Sequence, residues 1–515
     1  MAGDVTLADR VNEVLAVDPD EFRDRVRADA DLVKSALREG TFDNYQSVVG
    51  LEYEFFAVAN GRWQASSRPD ECTLMRVPRR MLQLIGFEPE LGLHNAEMTV
   101  TPQPLSNAGL RAQEAEVRAR LNAAADCTRP EGMRLVSDGI WKIPPIGEAA
   151  TDYLTDSVDV NGTRIATNMS DAIRYHAMGN GDAVETATME APGVSLEADT
   201  VMPESLITSI QPHYQVAHAS ELPTYFDYAL RIAGPLLAIA ANSPLFPPDL
   251  YHDHWTGEDI LEQGWAENRI PVFESVLNTF TDDEKVAFPE GFDSVGEAVD
   301  RIVRDSVFIP MPADDGTRFD DTFATFTQKH GTYWRWIRPV FDGATQSAAN
   351  ARIEFRILPA QPTLRDTMAL QAAFAGLMEK LSRQNHPVID LSWDQANENF
   401  YAAARDGIQA ELEWVHTDGY QTRDNDVIYT DVLDQAVAGL QVCGCDEKTA
   451  EQWIAPLRWR VDQTVSPASW KRTRLRDRLA ADQSLREAIH GTHRDYIDNQ
   501  SASLTKGNFS DWKAG

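Results

Sequence analysis

The chain has little lysine, little cysteine and no long apolar run. Nine lysines (Lys34, Lys142, Lys285, Lys329, Lys380, Lys448, Lys471, Lys506, Lys513) stand among 47 basic residues, so arginine carries most of the positive charge. No basic patch stands out, since the densest run, Trp470 to Arg478, lies in a helical stretch amid acids. Eighty acidic residues bring the formal net charge to −33, which argues against nucleic acid or anionic lipid as a partner. Four cysteines in 515 residues do not make a disulfide scaffold. The longest apolar stretch, Ile232 to Ala241, contains Gly234 and Pro235 and falls short of the ~18–20 residues of a membrane span. The first ten residues lack the basic and apolar regions of a secretory signal, so the expectation is a cytoplasmic protein. Neither Gly-x-x-x-x-Gly-Lys nor Gly-x-Gly-x-x-Gly occurs, which leaves a P-loop or dinucleotide site unsupported.

With 43% hydrophobic and 25% charged residues, the chain can bury a substantial core. Its carboxylates are spread evenly along the sequence. Such a surface keeps a protein hydrated in a high-salt cytosol, where screening reaches only ~3 Å at 1 M. The net charge is therefore read as describing the solvent, not a basic partner.

Apolar spacing near 3.6 predicts helix over the first 40 residues, ended by Gly40. Strands are expected at 47–58, 94–101, 134–136, 158–166, 209–216, 333–341 and 351–358. Helices are expected at 106–126, 220–241 and 364–382, and from Pro387 to about His490. Residues 250–330 read as acidic and loop-rich, with turns at Pro289-Glu290-Gly291 and Asp314-Asp315-Gly316. The order is helix, then a strand-rich middle, then helix, which is α+β and not a regular βαβ alternation.

Alternation along four strands sets an apolar face against a polar one. Glu52 and Glu54 share a face while Tyr53 and Phe55 point away. Asn95, Glu97, Thr99 and Thr101 share another. Ser209, Gln211, His213 and Gln215 form a third, and Arg352, Glu354 and Arg356 a fourth. A wet outer face would explain any one strand, but Glu, His, Gln and Arg are the vocabulary of sites. Carboxylates two residues apart can share Mg²⁺ or Mn²⁺, which prefer oxygen ligands. Arginines offer bidentate forks to carboxylate or phosphate. Metal, arginine and carboxylate together point to phosphoryl transfer, hence to a nucleotide-dependent ligase or phosphotransferase.

Six segments in order resemble the glutamate–cysteine ligase / carboxylate–amine ligase family, itself similar to glutamine synthetase. They are Gly50-Leu51-Glu52-Tyr53-Glu54-Phe55-Phe56, Ala96-Glu97 through Ser106, Gln211 through Val216, Leu237 through Pro244, Trp336 through Pro339 with Arg352 through Ile357, and Asn399 through Gly407. The chain departs from the family pattern at Pro212-His213-Tyr214-Gln215, where a His-x-His is frequent. It departs again after Pro244, where Phe246-Pro247-Pro248-Asp249 replaces a Gly-rich segment.

The resemblance implies a glutamine synthetase-like domain over 47–410, with a curved, mainly antiparallel sheet backed by helices and an acidic insertion at about 250–330. A helical segment at 1–46 and a helical extension at 411–515 flank it. It implies ATP and Mg²⁺ (or Mn²⁺) as cofactors, with glutamate and an amine such as cysteine as substrates. Glu52, Glu54, Glu97, His213 and Glu354 would hold metal. Arg356 and Arg338 would act on the transferring phosphoryl group or the α-carboxylate, and Arg352, Asn242 and Ser243 would hold nucleotide. A catalytically silent nucleotide- or amino-acid-binding relative, or a ligase for another amine, are the alternatives. The sequence carries no signal for oligomeric state. His252-Asp253-His254 and Cys443-Gly444-Cys445 lack the further ligands of a metal site, and Tyr333, Trp334 and Trp336 read as core or as the wall of a funnel.

Overall fold

A computed structural model describes residues 2–61, 71–181, 186–281, 283–313 and 316–512. The expected turn residues Asp314 and Asp315 lie outside them. Seven strands make one sheet: Val48–Ala59 (β1), Phe87–Pro89 (β2), Asn95–Pro104 (β3), Met133–Val136 (β4), Ile210–Gln215 (β5), Ile337–Asp342 (β6) and Asn350–Phe355 (β7). Their order is β6-β7-β5-β1-β3-β2, with β4 on the last four residues of β1, and every pairing is antiparallel. β1 is central because Val48, Val49, Tyr53, Phe55, Phe56 and Val58 suit a pleated surface buried on its rear face. Its register against β3 shifts between Val49 and Leu51. Two glutamines satisfy the carbonyls at that bulge: Gln113 donates to Val49 O at 2.8 Å and Gln371 to Gly50 O at 2.9 Å.

Gln113 and Gln371 come from two helices at the back, Asn107–Thr128 (α1) and Leu364–Gln384 (α3). Between them in sequence, Leu222–Ala240 (α2) is buried along most of its length. The Phe374 ring of α3 stacks on Phe355 of β7 at 4.4 Å. The helix Asn425–Val442 (α4) then crosses α3 at glycines: a Cβ on Gly439 would stand 1.8 Å from Gly376 O. The α+β reading, with a mainly antiparallel sheet backed by helices, holds.

The last helices, Pro467–Ala480 (α5) and Leu485–Ser503 (α6), enter the core by buried charge. Asp138 accepts from Lys142 at 2.6 Å and from Lys471, with His493 Nδ1 at 3.5 Å. Burial would raise the Asp138 carboxyl, but the two ammonium groups hold it far below its usual range. Arg460 and Asp366 form a second buried pair at 2.8 Å. Gln500 of α6 clasps Ser137, accepting from its N–H at 3.0 Å and donating to its carbonyl at 2.6 Å, and Ser137 Oγ meets Tyr53 OH at 2.7 Å.

Several expected elements differ. Residues 250–330 contain helices at Gly257–Gln263, Arg269–Asn278, Val295–Arg304 and Ala324–His330. Their acids are partly helix starts: Thr256 with Asp259 forms a capping box, and Ser294 caps Glu297. The single strand expected at 158–166 is a hairpin turned by Asn161 and Gly162, both at positive φ. β6 begins at Ile337 and not at 333. The all-helical tail is interrupted by a two-residue ladder pairing Trp414–Val415 with Gln421–Thr422, and its last helix runs on to Ser503. The short β2 and the hairpin Ala187–Ala191/Val194–Ala198 escaped the period-2 reading. Among the described residues, no helix is long and apolar enough to cross a membrane.

Because Gly439 and Gly376 meet backbone to backbone, no flexible side chain can yield there. Gly439→Ala is expected to destabilise the fold by about 1–3 kcal/mol, as overpacking does. The effect would be read as a lowered thermal midpoint; an unchanged midpoint would show that the α3–α4 crossing has slack.

Candidate active site

Cross-strand register assembles the polar face of the sheet. Arg338, Glu354 and His213 lie in one row that reaches β1 at Gly50. Gln211, Glu52 and Thr99 form the next row, and Glu54, Glu97 and Glu88 the one after. A Cβ on Gly50 would come within 3.3 Å of His213 Cβ, so glycine leaves the imidazole its room. Over these rows lies a cleft of about 250 Å³. Six glutamates (52, 54, 88, 90, 97, 204) and four arginines (174, 269, 338, 356) line it, with Phe273, Trp334 and Trp336 as an aromatic wall. A second compartment of about 230 Å³, sharing Glu52 and Thr99, runs toward Val48, Leu51, Val100, Pro102 and Arg352.

At one side the charges are matched. Glu354 accepts from Arg338 Nε at 2.9 Å and from Arg356, while Arg356 also donates to Gln211 at 2.7 Å. Burial works against ionisation, yet Arg338 and Arg356 hold the Glu354 carboxyl well below its usual range. Both of its oxygens are thus engaged by guanidinium groups. Arg352 Nε donates to His213 Nδ1 at 3.1 Å, so the imidazole proton sits on Nε2, which stands 3.3 Å from Glu52. Against its burial, Glu52 is held below its ordinary value by His213.

At the other side the carboxylates outnumber their partners. Burial, then Glu90, pushes Glu54 up to about 7, although Ser209 N and Gln211 Nε2 donate to it at 2.7 and 2.8 Å. Burial and the charges of Glu52, Glu90 and Glu54 carry Glu97 well above the usual range. Glu204 rises to about 8 through burial, then Glu90 and Glu54. Glu90 rises by burial despite Arg174 and a 3.0 Å bond from Tyr175 OH. Like charges directly opposite on adjacent strands repel, and an all-oxygen donor set suits a hard divalent cation. These residues fit such an ion. Among the described residues, no three His, Cys, Asp or Glu side chains are already drawn round a single point.

The expected site residues are therefore divided. The structure brings Glu52, Glu54, Glu97, Arg338 and Arg356 to the main cleft, His213 and Arg352 to the adjoining compartment, and Glu354 beneath them as the anchor of two arginines. Asn242 and Ser243 do not reach the cleft. Both are fully buried at the end of α2, where Asn242 donates to Ala360 O at 2.6 Å and to Tyr496 OH at 3.0 Å. Asn242 Oδ1 accepts from Lys471 at 2.7 Å, and Ser243 Oγ accepts from Arg269 N at 3.2 Å. They tie a helix end to the core and do not line the cleft. The rings of His252 and His254 stack at 5.5 Å outside the cleft, and Cys443 and Cys445 are free thiols.

Glu88, Glu90, Arg174, Tyr175, Glu204 and Arg269 were not anticipated. Glu88-Pro89-Glu90 repeats the two-residue spacing of Glu52 and Glu54, which is a usable signal. Arg174, Glu204 and Arg269 come from short helical pieces, where alternation gives none.

Raised carboxyls give a pH dependence of defined sign. Between the ordinary glutamate value, ~4.3, and about 8, Glu54 and Glu204 keep protons that the unfolded chain has lost. Stability therefore falls as pH rises through that window. Glu52 and Glu354 act oppositely, below the ordinary value. In constant molar KCl, the thermal midpoint is expected to drop from pH 5 to pH 8. Millimolar Mg²⁺ should restore it at pH 8 and have little effect at pH 5, and Glu204→Gln should flatten the slope. A flat or rising midpoint would refute this charge balance.

A comparison against curated proteins finds no match. Among solved structures, a glutamate–cysteine ligase of Francisella tularensis in complex with AMP shares 12% identity at a TM-score of 0.49, over 90% of this chain and 91% of that one. A bifunctional glutathione synthetase of Pasteurella multocida shares 12% at 0.47, over 92% of this chain and 55% of that longer one. These scores are too low to carry argument. A family model is decisive, and it reaches well past residue 410, where the visible motifs end: matched over residues 48–499, the chain belongs to glutamate-cysteine ligase family 2.

Proposed function

We propose that this chain is an ATP-dependent carboxylate–amine ligase working through an acyl phosphate, and that its reaction joins glutamate to cysteine. The observation that supports this best is the cleft itself: a bank of uncompensated glutamates faces arginines that are already fixed in place. Family membership supports the ligase class. Glu52, Glu54 and Glu97, with Glu90, would hold Mg²⁺ or Mn²⁺, which supplies charge neutralisation to nucleotide phosphates. Arg352, in the more apolar compartment, would hold the nucleotide.

In the reaction, a carboxylate oxygen of the acceptor acid takes the γ-phosphoryl group and ADP leaves. The amine nitrogen then attacks the carbonyl carbon, phosphate departs and the nitrogen loses a proton. Arg356 and Arg338 bring the two anions together. Each is immobilised beforehand, Arg356 by Glu354 and Gln211, Arg338 by Glu354 and the carbonyls of His330 and Tyr333 at 3.2 Å. Donors fixed this way need no reorganisation when charge develops. Phe273, Trp334 and Trp336 keep water from the acyl phosphate. Glu204, outside the carboxylates assigned to metal, gives the cleft a further acidic group that would face an ammonium group.

Purified protein in molar KCl with ATP, Mg²⁺ and glutamate is expected to release phosphate only when an amine is added, and fastest with cysteine. A different preferred amine would rename the substrate. Tight nucleotide binding without turnover on any amine would mark a silent binding protein. Glu54→Gln and Glu354→Gln are each expected to lower turnover at least ~10²-fold, the scale of losing a preorganised electrostatic group. Near-normal rates in both would remove them from the site.

A further inference from the structure

A second cavity, of about 380 Å³, opens where α1, β4 and the end of α6 meet, away from the glutamate cleft. Its lining differs in kind. No aspartate or glutamate lines it, although the chain holds 80 of them, whereas Arg129, Arg134 and Lys506 do. Two acids reach these cations from outside the lining: Asp126 meets Arg129 at 2.8 Å and Asp498 meets Arg134 at 3.7 Å. Among the described residues, Lys506 has no ion-pair partner. Leu121 and Met133 give the cavity an apolar floor.

Two polar groups in the wall are left without partners. Thr128 is fully buried and its hydroxyl makes no hydrogen bond, not even the one back to the helix that a threonine usually finds. Arg134 donates from its two terminal nitrogens, to Ser501 at 2.6 Å and to Cys72 Sγ at 3.5 Å, while its Nε is buried and unpartnered. Buried donors in this state carry a desolvation cost that a bound acceptor would remove. A volume in the range of small-molecule sites, an apolar floor and three cationic side chains on the lining describe a ligand with matching parts.

We propose that this cavity binds a small organic anion, a carboxylate or phosphate monoester carrying an apolar body, at a site separate from the catalytic cleft. The same geometry ties it to the catalytic strand. Gln500 lines the cavity and clasps Ser137, and Ser137 meets the hydroxyl of Tyr53, which sits between Glu52 and Glu54 on β1.

The test is calorimetric titration of the full chain with hexanoate, hexyl phosphate and hexan-1-ol, at 0.2 M and 2 M KCl. At least one of the two anions should saturate one site about tenfold more tightly than the alcohol, the worth of one hydrogen bond between charged groups; which anion does so names the head group. Lys506→Ala and Thr128→Val should each weaken that binding about five- to tenfold. Thr128→Val should leave the thermal midpoint equal or higher, because it removes an unsatisfied hydroxyl. Glu54→Gln, in the catalytic cleft, should bind the anion as before. The proposal fails if neither anion saturates, if the alcohol binds as tightly, or if Glu54→Gln abolishes binding while Lys506→Ala does not. It also fails if the only response is a change in oligomeric state.

Discussion

The cleft rests on a conflict of like charges. Glu54, Glu97 and Glu88 stand side by side on three neighbouring strands, with Glu90 and Glu204 closing on them. A sheet would relieve such a row by turning one strand over, but β1 cannot turn. Its alternate residues Tyr53 and Phe55 are fully buried, and glutamines from α1 and α3 hold its bulge. The apolar side of the strand keeps the acidic side in place. The electrostatic strain is thus maintained by packing on the opposite face, and protons or a cation must answer it.

Glu354 shows the complementary arrangement. One buried carboxylate fixes two guanidinium groups, so the positive side of the cleft is rigid while the negative side is adjustable. The proposed reaction would use this asymmetry: fixed donors for the transferring group, and carboxylates whose charge varies with what is bound.

Much of this was legible in the sequence, because strand alternation is local information. Glu52, Glu54, Glu97, His213, Glu354 and Arg356 could be placed on polar strand faces by counting in twos, and Arg338 by the resemblance. What they would do to one another could not. Glu354 looks like a metal ligand until β6 brings Arg338 beside it. Asn242-Ser243-Pro244 looks like a binding turn until Lys471, over two hundred residues later, comes to rest on Asn242. Helices between 250 and 330 were hidden because their acids, taken for solvent-facing loop, serve as caps. Arg174, Glu204 and Arg269 sit on short helical pieces whose direction only tertiary packing sets.

The threading of α5 and α6 into the centre bears on how the molecule is made. β1 is synthesised well before Lys471, His493 and Gln500, which complete the core behind it. At ordinary elongation speed that delay is roughly 20–90 s. Throughout it the acidic strand has no finished scaffold, and the packing that holds its carboxylates together is incomplete. The core behind the cleft closes only once α5 and α6 have joined it.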